Sequence, residues 1–517
     1  MFLRILFINF LSEFLNVLYN FQLIMSRSTS PNLVQRLSER ALTRTDIVPP
    51  NRLQGFSDAV FATAATLLII PVRKFETEKG ETLKDALVRH ASQILVFWLG
   101  YLVICTLWES QVVRYKVLEK VDDMLVGLNL VSLMIVTFLP FSVSLEGHYN
   151  QYETAVFLNA CLLLGHEICE LIIFIYGFSN PALLSESFKE LQETEQRVKR
   201  HQIYTKSIFN CTLFILAIIF SYASFIMAYI LMCSILLTPF LKSVIIRCTE
   251  LSTRCQCHDT TSTFEVLTGR ISKERMECFT DAAMAIVATL LILDLTTEDF
   301  PKPDDVKAKG LLKVLEEMSQ SFISYIGTYT MVAFLWFLHH SVVQHILVFT
   351  RLLVATNRTF LALVALSPFL STLTNKYTGH ISSDSQTAVC FSAIIIFLGS
   401  FVNVLLIIFC LFDPNTTLEE WARPRDEGNP GLVYLSLKAL IIPVIAFVTF
   451  VVSLGGPEAS YWVFHISIFL APVLFIILKI FYACHCCHTG QQNIPNERLQ
   501  EVDGEGNNYE DDVNVIV

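Results

Sequence analysis

Apolar blocks follow one another along nearly the whole chain, separated by short polar segments. Each block is long enough to cross a hydrocarbon core, which takes roughly 17–25 residues. The pattern predicts twelve spans, near 54–72, 91–113, 124–144, 153–178, 204–223, 225–246, 279–295, 319–343, 352–372, 386–412, 432–454 and 459–482. The fifth and sixth come from one continuous apolar block. Helices satisfy every backbone donor and acceptor within the segment, so the expected fold class is an all-α polytopic membrane bundle.

The polar punctuation is written twice. Arg52-x-x-x-Phe56-Ser57-Asp58 opens the first span and Arg275-x-x-x-Phe279-Thr280-Asp281 the seventh, 223 residues later. Trp108 then aligns with Trp336, Asn129 with Asn357 and Pro140-Phe141 with Pro368-Phe369, all at a spacing of 228. Landmarks in one register mark a duplicated unit. Six spans per unit is an even number, so both copies enter the membrane the same way and the repeats are parallel. The expected organisation is an N-terminal cytosolic or interfacial segment (1–50), a first six-helix repeat (51–246), a cytosolic linker (247–274), a second repeat (275–483) and an acidic cytosolic tail (484–517).

Composition agrees with a membrane bundle: 53% of the 517 residues are hydrophobic and 16% charged, against about 25% charged in soluble domains. The net charge of −10 comes partly from the tail and identifies no partner; nothing points to nucleic acid. Lys and Arg collect in 26–52, 114–123, 179–206 and 242–275, which favours both termini inside. Seven of the fourteen Cys lie in the apolar blocks and read as small packing residues. Cys484-His485-Cys486-Cys487-His488 directly follows the last span, a place suited to palmitoylation. Residues 1–25 read as an interfacial extension rather than a signal peptide, since no small-residue cleavage site follows them. There is no metal triad, nucleophile elbow or phosphate loop, so an enzyme is not expected and no cofactor is implied.

Thr63, Thr66 and Ile70 share one helix face, as do Ile286, Thr289 and Leu293. These uncharged faces suit a hydrophobic constriction flanked by hydroxyls; they equally suit close helix packing. Asp58 lies about 140° around the helix from Thr63, at roughly 100° per residue. Its carboxylate therefore points to neighbouring helices and needs a partner there. Arg52 and Arg275 are the basic candidates, with the Trp108 and Trp336 indoles arriving from the second helix of each unit. Asn129 and Asn357 read as interhelical hydrogen-bonding groups.

The twice-written motif, together with Trp336-x-x-His339-His340, resembles the endosomal and lysosomal potassium channels of the transmembrane-protein-175 family over about residues 50–480. The resemblance implies a homodimer in the endosomal and lysosomal membrane whose four six-helix units surround one pore. That pore would leak potassium, with protons as a second candidate ion. It also implies that the first helices line the pore and that isoleucines seven residues past the motif Phe form its narrowest ring. Ile286 stands at that place, but Thr63 replaces its equivalent, so the ring would alternate Thr and Ile. Thr66 and Thr289 match the next layer. His339 matches the family's histidine beside the motif, where the first unit carries Gln111, so one half would titrate there and the other would not. The rival is a major-facilitator transporter, which also has twelve spans in two halves. The loop 114–120 lacks that family's Gly/Asp/Arg-rich signature.

Overall fold

The computed structural model describes residues 49–73, 77–149, 152–237, 271–298, 300–424 and 429–488. The segment 1–48, most of the linker, the tail beyond 488 and the side chains of residues 485–488 lie outside that description. The principal elements are α1 (Asn51–Leu67), α2 (Leu83–Val117), α3 (Asp123–His148), α4 (Glu153–Ser179), α5 (Glu193–Phe220), α6 (Phe225–Cys233) and α7 (Lys273–Leu290). They continue with α8 (Ser319–Val343), α9 (Arg351–Val364), α10 (Ser367–Tyr377), α11 (Ser383–Cys410), α12 (Pro430–Ser453) and α13 (Pro457–His488). Among the described residues the only β contacts are isolated bridges, Leu118 with Leu184, Ile271 with Phe349 and Ile346 with Leu418.

Among the described residues nine helices are long and apolar enough to cross a membrane, ten if the bent last pair is counted as one span. The protein is therefore a multi-pass helical membrane protein. Two of the twelve expected spans fall short among the described residues. The sixth is represented by the short apolar helix Ile226–Leu237, beyond which lie undescribed residues. The seventh is α7, whose first nine residues carry Lys273, Glu274, Arg275, Glu277 and Asp281 and so dilute its apolar character. The expected break between the fifth and sixth spans falls between α5 and α6, at residues 221–224.

Local chemistry sets the helix ends. Asp122 caps α3 by accepting from the Leu125 amide, and Thr350, 228 residues later, caps α9 by accepting from the Leu353 amide. Each fills one of the orphan donors of a first turn. Pro140 sits inside a continuous α3, whereas Pro368 stands just after the break between α9 and α10. A proline has no amide hydrogen to return to the preceding turn, so both sites are weak points of the helix. The bundle core runs through α1, α2, α3, α7, α9 and α11, with Phe61, Trp108, Phe279 and Phe360 fully or almost fully enclosed.

Candidate functional site

The site grows from α1 and α7, which pack directly against each other. Asp58 is 1% exposed and accepts a 2.6 Å hydrogen bond from the Trp108 indole N–H. Arg275 of α7 places Nη2 2.8 Å from the same Oδ1. That contact is an ion pair rather than an aligned hydrogen bond, since the guanidinium nitrogens find no hydrogen-bond acceptor among the described residues. Phe279, one turn further along α7, stacks on Trp108 at 4.2 Å between centroids and 23° between planes. The motif of one half thus closes on the motif of the other. Of the two arginines the sequence offered, Arg275 takes the role; Arg52 lies exposed at the start of α1.

The same set of groups in the opposite register is open. Trp336 donates to Asp281 Oδ1 at 2.8 Å, matching Trp108 and Asp58. Yet Phe56 is 53% exposed, Trp336 38%, and Asp281 and Arg52 are exposed as well. Among the described residues no arginine pairs with Asp281, and the ring stacked on Trp336, at 5.4 Å, is His340 of its own helix rather than a phenylalanine of the other half.

Behind each motif a polar chain holds the hydroxyl. Asn129 Nδ2 donates to Ser57 Oγ at 3.1 Å, and Asn357 Nδ2 donates to Thr280 Oγ1 at 3.0 Å. In the first half Asn129 also accepts from Gln111 and from Arg114, and Arg114 pairs with Glu170 at 2.6 Å in a fully buried contact. In the second half His339 is paired through Nδ1 with Asn403 at 2.7 Å and lies flat on Phe360 at 4.1 Å. The imidazole therefore meets an amide, not the motif carboxylate that the sequence suggested. A further ion pair, Glu109 with Arg358 at 3.1 Å, joins α2 to α9 across the halves. Arg114, Glu170, Glu109, Arg358 and Asn403 are absent from the sequence-derived site. Charged residues inside apolar spans were the available signal, because such groups are costly in lipid unless paired.

On α1 the open stripe runs through Arg52, Phe56 and Ala59, with Thr63 partly open; Ile70, in the short helix Ile69–Arg73 that follows, is partly open as well. On α7 it runs through Cys278, Asp281, Ala285 and Thr289, with Ile286 partly open and, past the helix end, Leu293 partly open too. Thr63 and Thr289 return their hydroxyls to their own helix, at Ala59 O and Ile286 O. Thr66 is fully buried and bonded to Ala62 O, so the two threonines of that layer differ in exposure.

The family model described as endosomal/lysosomal potassium channel TMEM175 matches residues 52–140 and 275–368. The two stretches open on Arg52 and Arg275 and close on Pro140 and Pro368, the landmarks of the doubled motif. A relative from Danio rerio named endosomal/lysosomal proton channel TMEM175 is 29% identical over 439 residues, covering 83% of each chain. The chain is similar to the TMEM175 family in both of its halves. The Homo sapiens relative of the same name is 28% identical over 446 residues, covering 83% of this chain and 85% of its own. A crystal structure described as a lysosomal potassium-selective TMEM175 homologue from Chamaesiphon minutus is 22% identical, covers 37% of this chain and 97% of that one, and has a TM-score of 0.32. The chain thus pairs long coverage of these vertebrate relatives with a residue, Thr63, that differs from its equivalent Ile286 in the second half.

Proposed function

We propose that this chain is an endosomal and lysosomal cation channel that leaks potassium and also passes protons. Two chains form it, each giving two parallel six-helix repeats, twelve spans in all, with both termini cytosolic. The pore is central, lined by α1 and α7 of each chain, with Thr63 and Ile286 forming an alternating gate and Thr66, Thr289, Ile70 and Leu293 the layers beside it. Arg52, Phe56, Ser57, Asp58 and Trp108 of the first half clasp with Arg275, Phe279, Thr280, Asp281, Trp336 and His339 of the second.

One observation carries this reading: the clasp is closed once within the chain and open once at its surface. Arg275 and Phe279 complete the site at Asp58 and Trp108, while Arg52, Phe56, Asp281 and Trp336 stand exposed. A second copy of the chain supplies the missing half in both directions, as a twofold contact requires. The closed arrangement has four first helices around one axis and no charged group on the constriction. A ring of that kind restricts ions by holding water out of its narrowest layer. The relatives' names support both candidate ions, proton for the vertebrate proteins and potassium for the family description. They give no support to a major-facilitator carrier.

Whole-organelle recording under bi-ionic conditions tests the reading. A near-linear current should reverse at the potassium equilibrium potential and shift when a proton gradient is imposed. Saturable substrate uptake without current would replace the channel with a carrier.

A further inference from the structure

Each half of the chain encloses a cavity at the same place in its helix bundle, away from α1 and α7. In the first half Leu139, Val143 and Glu146 line it; in the second half Ser367, Ser371 and Thr374 do, each 228 residues later. The exchange of Leu and Val for two serines removes side-chain volume. The first cavity measures about 20 Å³ and the second about 70 Å³. The first is tight enough that a β-carbon on Gly100 would sit 2.9 Å from Val143. Its wall includes a carboxyl group, whereas among the described residues no ionisable side chain lines the second.

Of the eight hydroxyls lining the second cavity, three are spent within their own helices. The Thr328, Thr374 and Ser467 hydroxyls donate to carbonyls of their own helices. Ser324 and Ser392 are different: they are 9% and 4% exposed, both line the cavity, and neither hydroxyl has a partner among the described residues. A buried hydroxyl without a partner is unfavourable by about 1–3 kcal/mol, so two on one wall ask for a ligand. Water fits poorly. About five molecules would fill the space at 10–15 Å³ each, and each needs two to four polar partners, which this largely apolar wall does not offer. A single hydroxyl on a short hydrocarbon body matches better, since it can donate to one serine, accept from the other and bury its carbons against Leu370, Ile396 and Phe464.

We infer that the second-half cavity is a binding site for a small uncharged alcohol, one not provided in the first half. The size sets the body at about three to four carbons, since an engineered cavity of about 150 Å³ takes benzene. The wall toward lipid is a broken helix. α13 bends by 46° between Pro457–Ser467 and Phe469–Tyr482. Pro472 lacks the amide that would bond the Ile468 carbonyl, which accounts for the bend. Ser467 lies on the cavity side of that break, and Phe469, two residues on, is 69% exposed. A lipid-soluble alcohol thus has one helix between it and the site.

Photolabelling of the full-length protein in membranes with a diazirine derivative of butanol tests this. Adducts mapped by mass spectrometry should fall on the cavity wall and be displaced by excess butanol. Ser371→Val, the residue the first half already carries there, combined with Ser392→Ala, should lower labelling at that wall at least tenfold. Labelling elsewhere and the elution position of the variant serve as the control for folding. Ser392→Thr, which keeps a hydroxyl, should retain displaceable labelling. An unlabelled wall, as expected of a cavity holding water alone, would overturn the inference. So would labelling that butanol does not displace, or that the filled variant leaves unchanged.

Discussion

Asp58 and Asp281 occupy equivalent places in the two motifs, yet the chain treats them differently, and substituting each by asparagine separates folding from assembly. Asn keeps an oxygen to accept from the indole, so Asp58→Asn leaves the Trp108 hydrogen bond and removes only the charge facing Arg275. The Arg275 side chain is 12% exposed and its aspartate 1%. Breaking a buried ion pair by removing one partner costs about 3–5 kcal/mol. The partial exposure of Arg275 places this case near the lower bound, about 3 kcal/mol, or a little over a hundredfold in the folding equilibrium. Asp281 is exposed within its own chain, where Asp281→Asn should cost no more than about 0.5 kcal/mol, as for surface changes in general. Its effect should appear on assembly instead, where a twofold dimer closes two such junctions and loses about twice the single-pair value, about 6 kcal/mol. Unfolding midpoints and dimer fraction on size exclusion, measured over a dilution series in one detergent, resolve the two effects. Asp58→Asn should yield less folded chain; Asp281→Asn should yield folded monomer. Equal loss of folding in both variants, or an Asp281→Asn protein that remains dimeric on dilution, would refute the account of the clasp.

Other outcomes follow from the same geometry. Thr63→Ile should lower leak current by making the narrow layer uniformly apolar, and Ile286→Asn should raise it and blur discrimination among alkali cations; unchanged currents in both variants would make these faces packing surfaces. His339→Gln keeps a polar group beside Asn403 but loses the ring stacked on Phe360, so it should lower the melting temperature, and an unchanged midpoint would remove that packing role. Outside the spans, two hydrogen bonds from Arg89, at 3.0 and 2.8 Å, hold the Glu81 carboxyl down to about 2, with the Glu78 amide adding to them. A depressed carboxyl adds stability above its ordinary value of 4.5 and loses it as pH falls from there toward 2. Glu81→Gln should therefore lower the melting temperature equally at pH 7 and pH 5, the gap to wild type closing only below about 4.5.

The sequence was most legible where lipid restricts the choices. Most span positions, the doubled motif and the inward-facing Asp58 follow from hydropathy and helical spacing, and α3 and α4 lie close to their expected ranges. Legibility failed where a charged motif starts a helix: α7 reads as a span in the pattern, but five charged residues in its first nine weaken it. Spacing also could not say which arginine meets Asp58, because Arg52 and Arg275 are equivalent in the repeat and only packing of α7 on α1 selects the second. His339 was expected beside the motif carboxylate, yet its partner Asn403 comes from α11, which no short-range pattern links to α8. Arg114 and Glu170 were visible as charges in apolar segments, but their pairing depends on how α2 and α4 face each other.

Charge exchange at the open junction tests the central claim most directly. Two variants are made, Arg52→Asp in one chain and Asp281→Arg in another, and potassium current is recorded with each alone and with both together. A dimer of either variant alone faces like charges at both junctions. The mixed dimer has one native Arg52–Asp281 junction and one with the charges exchanged. The account predicts little current from either variant alone and recovered current on co-expression. Full current from a single variant, or silence from the mixture while both chains are folded and present, would contradict a pore closed by a second copy of this chain.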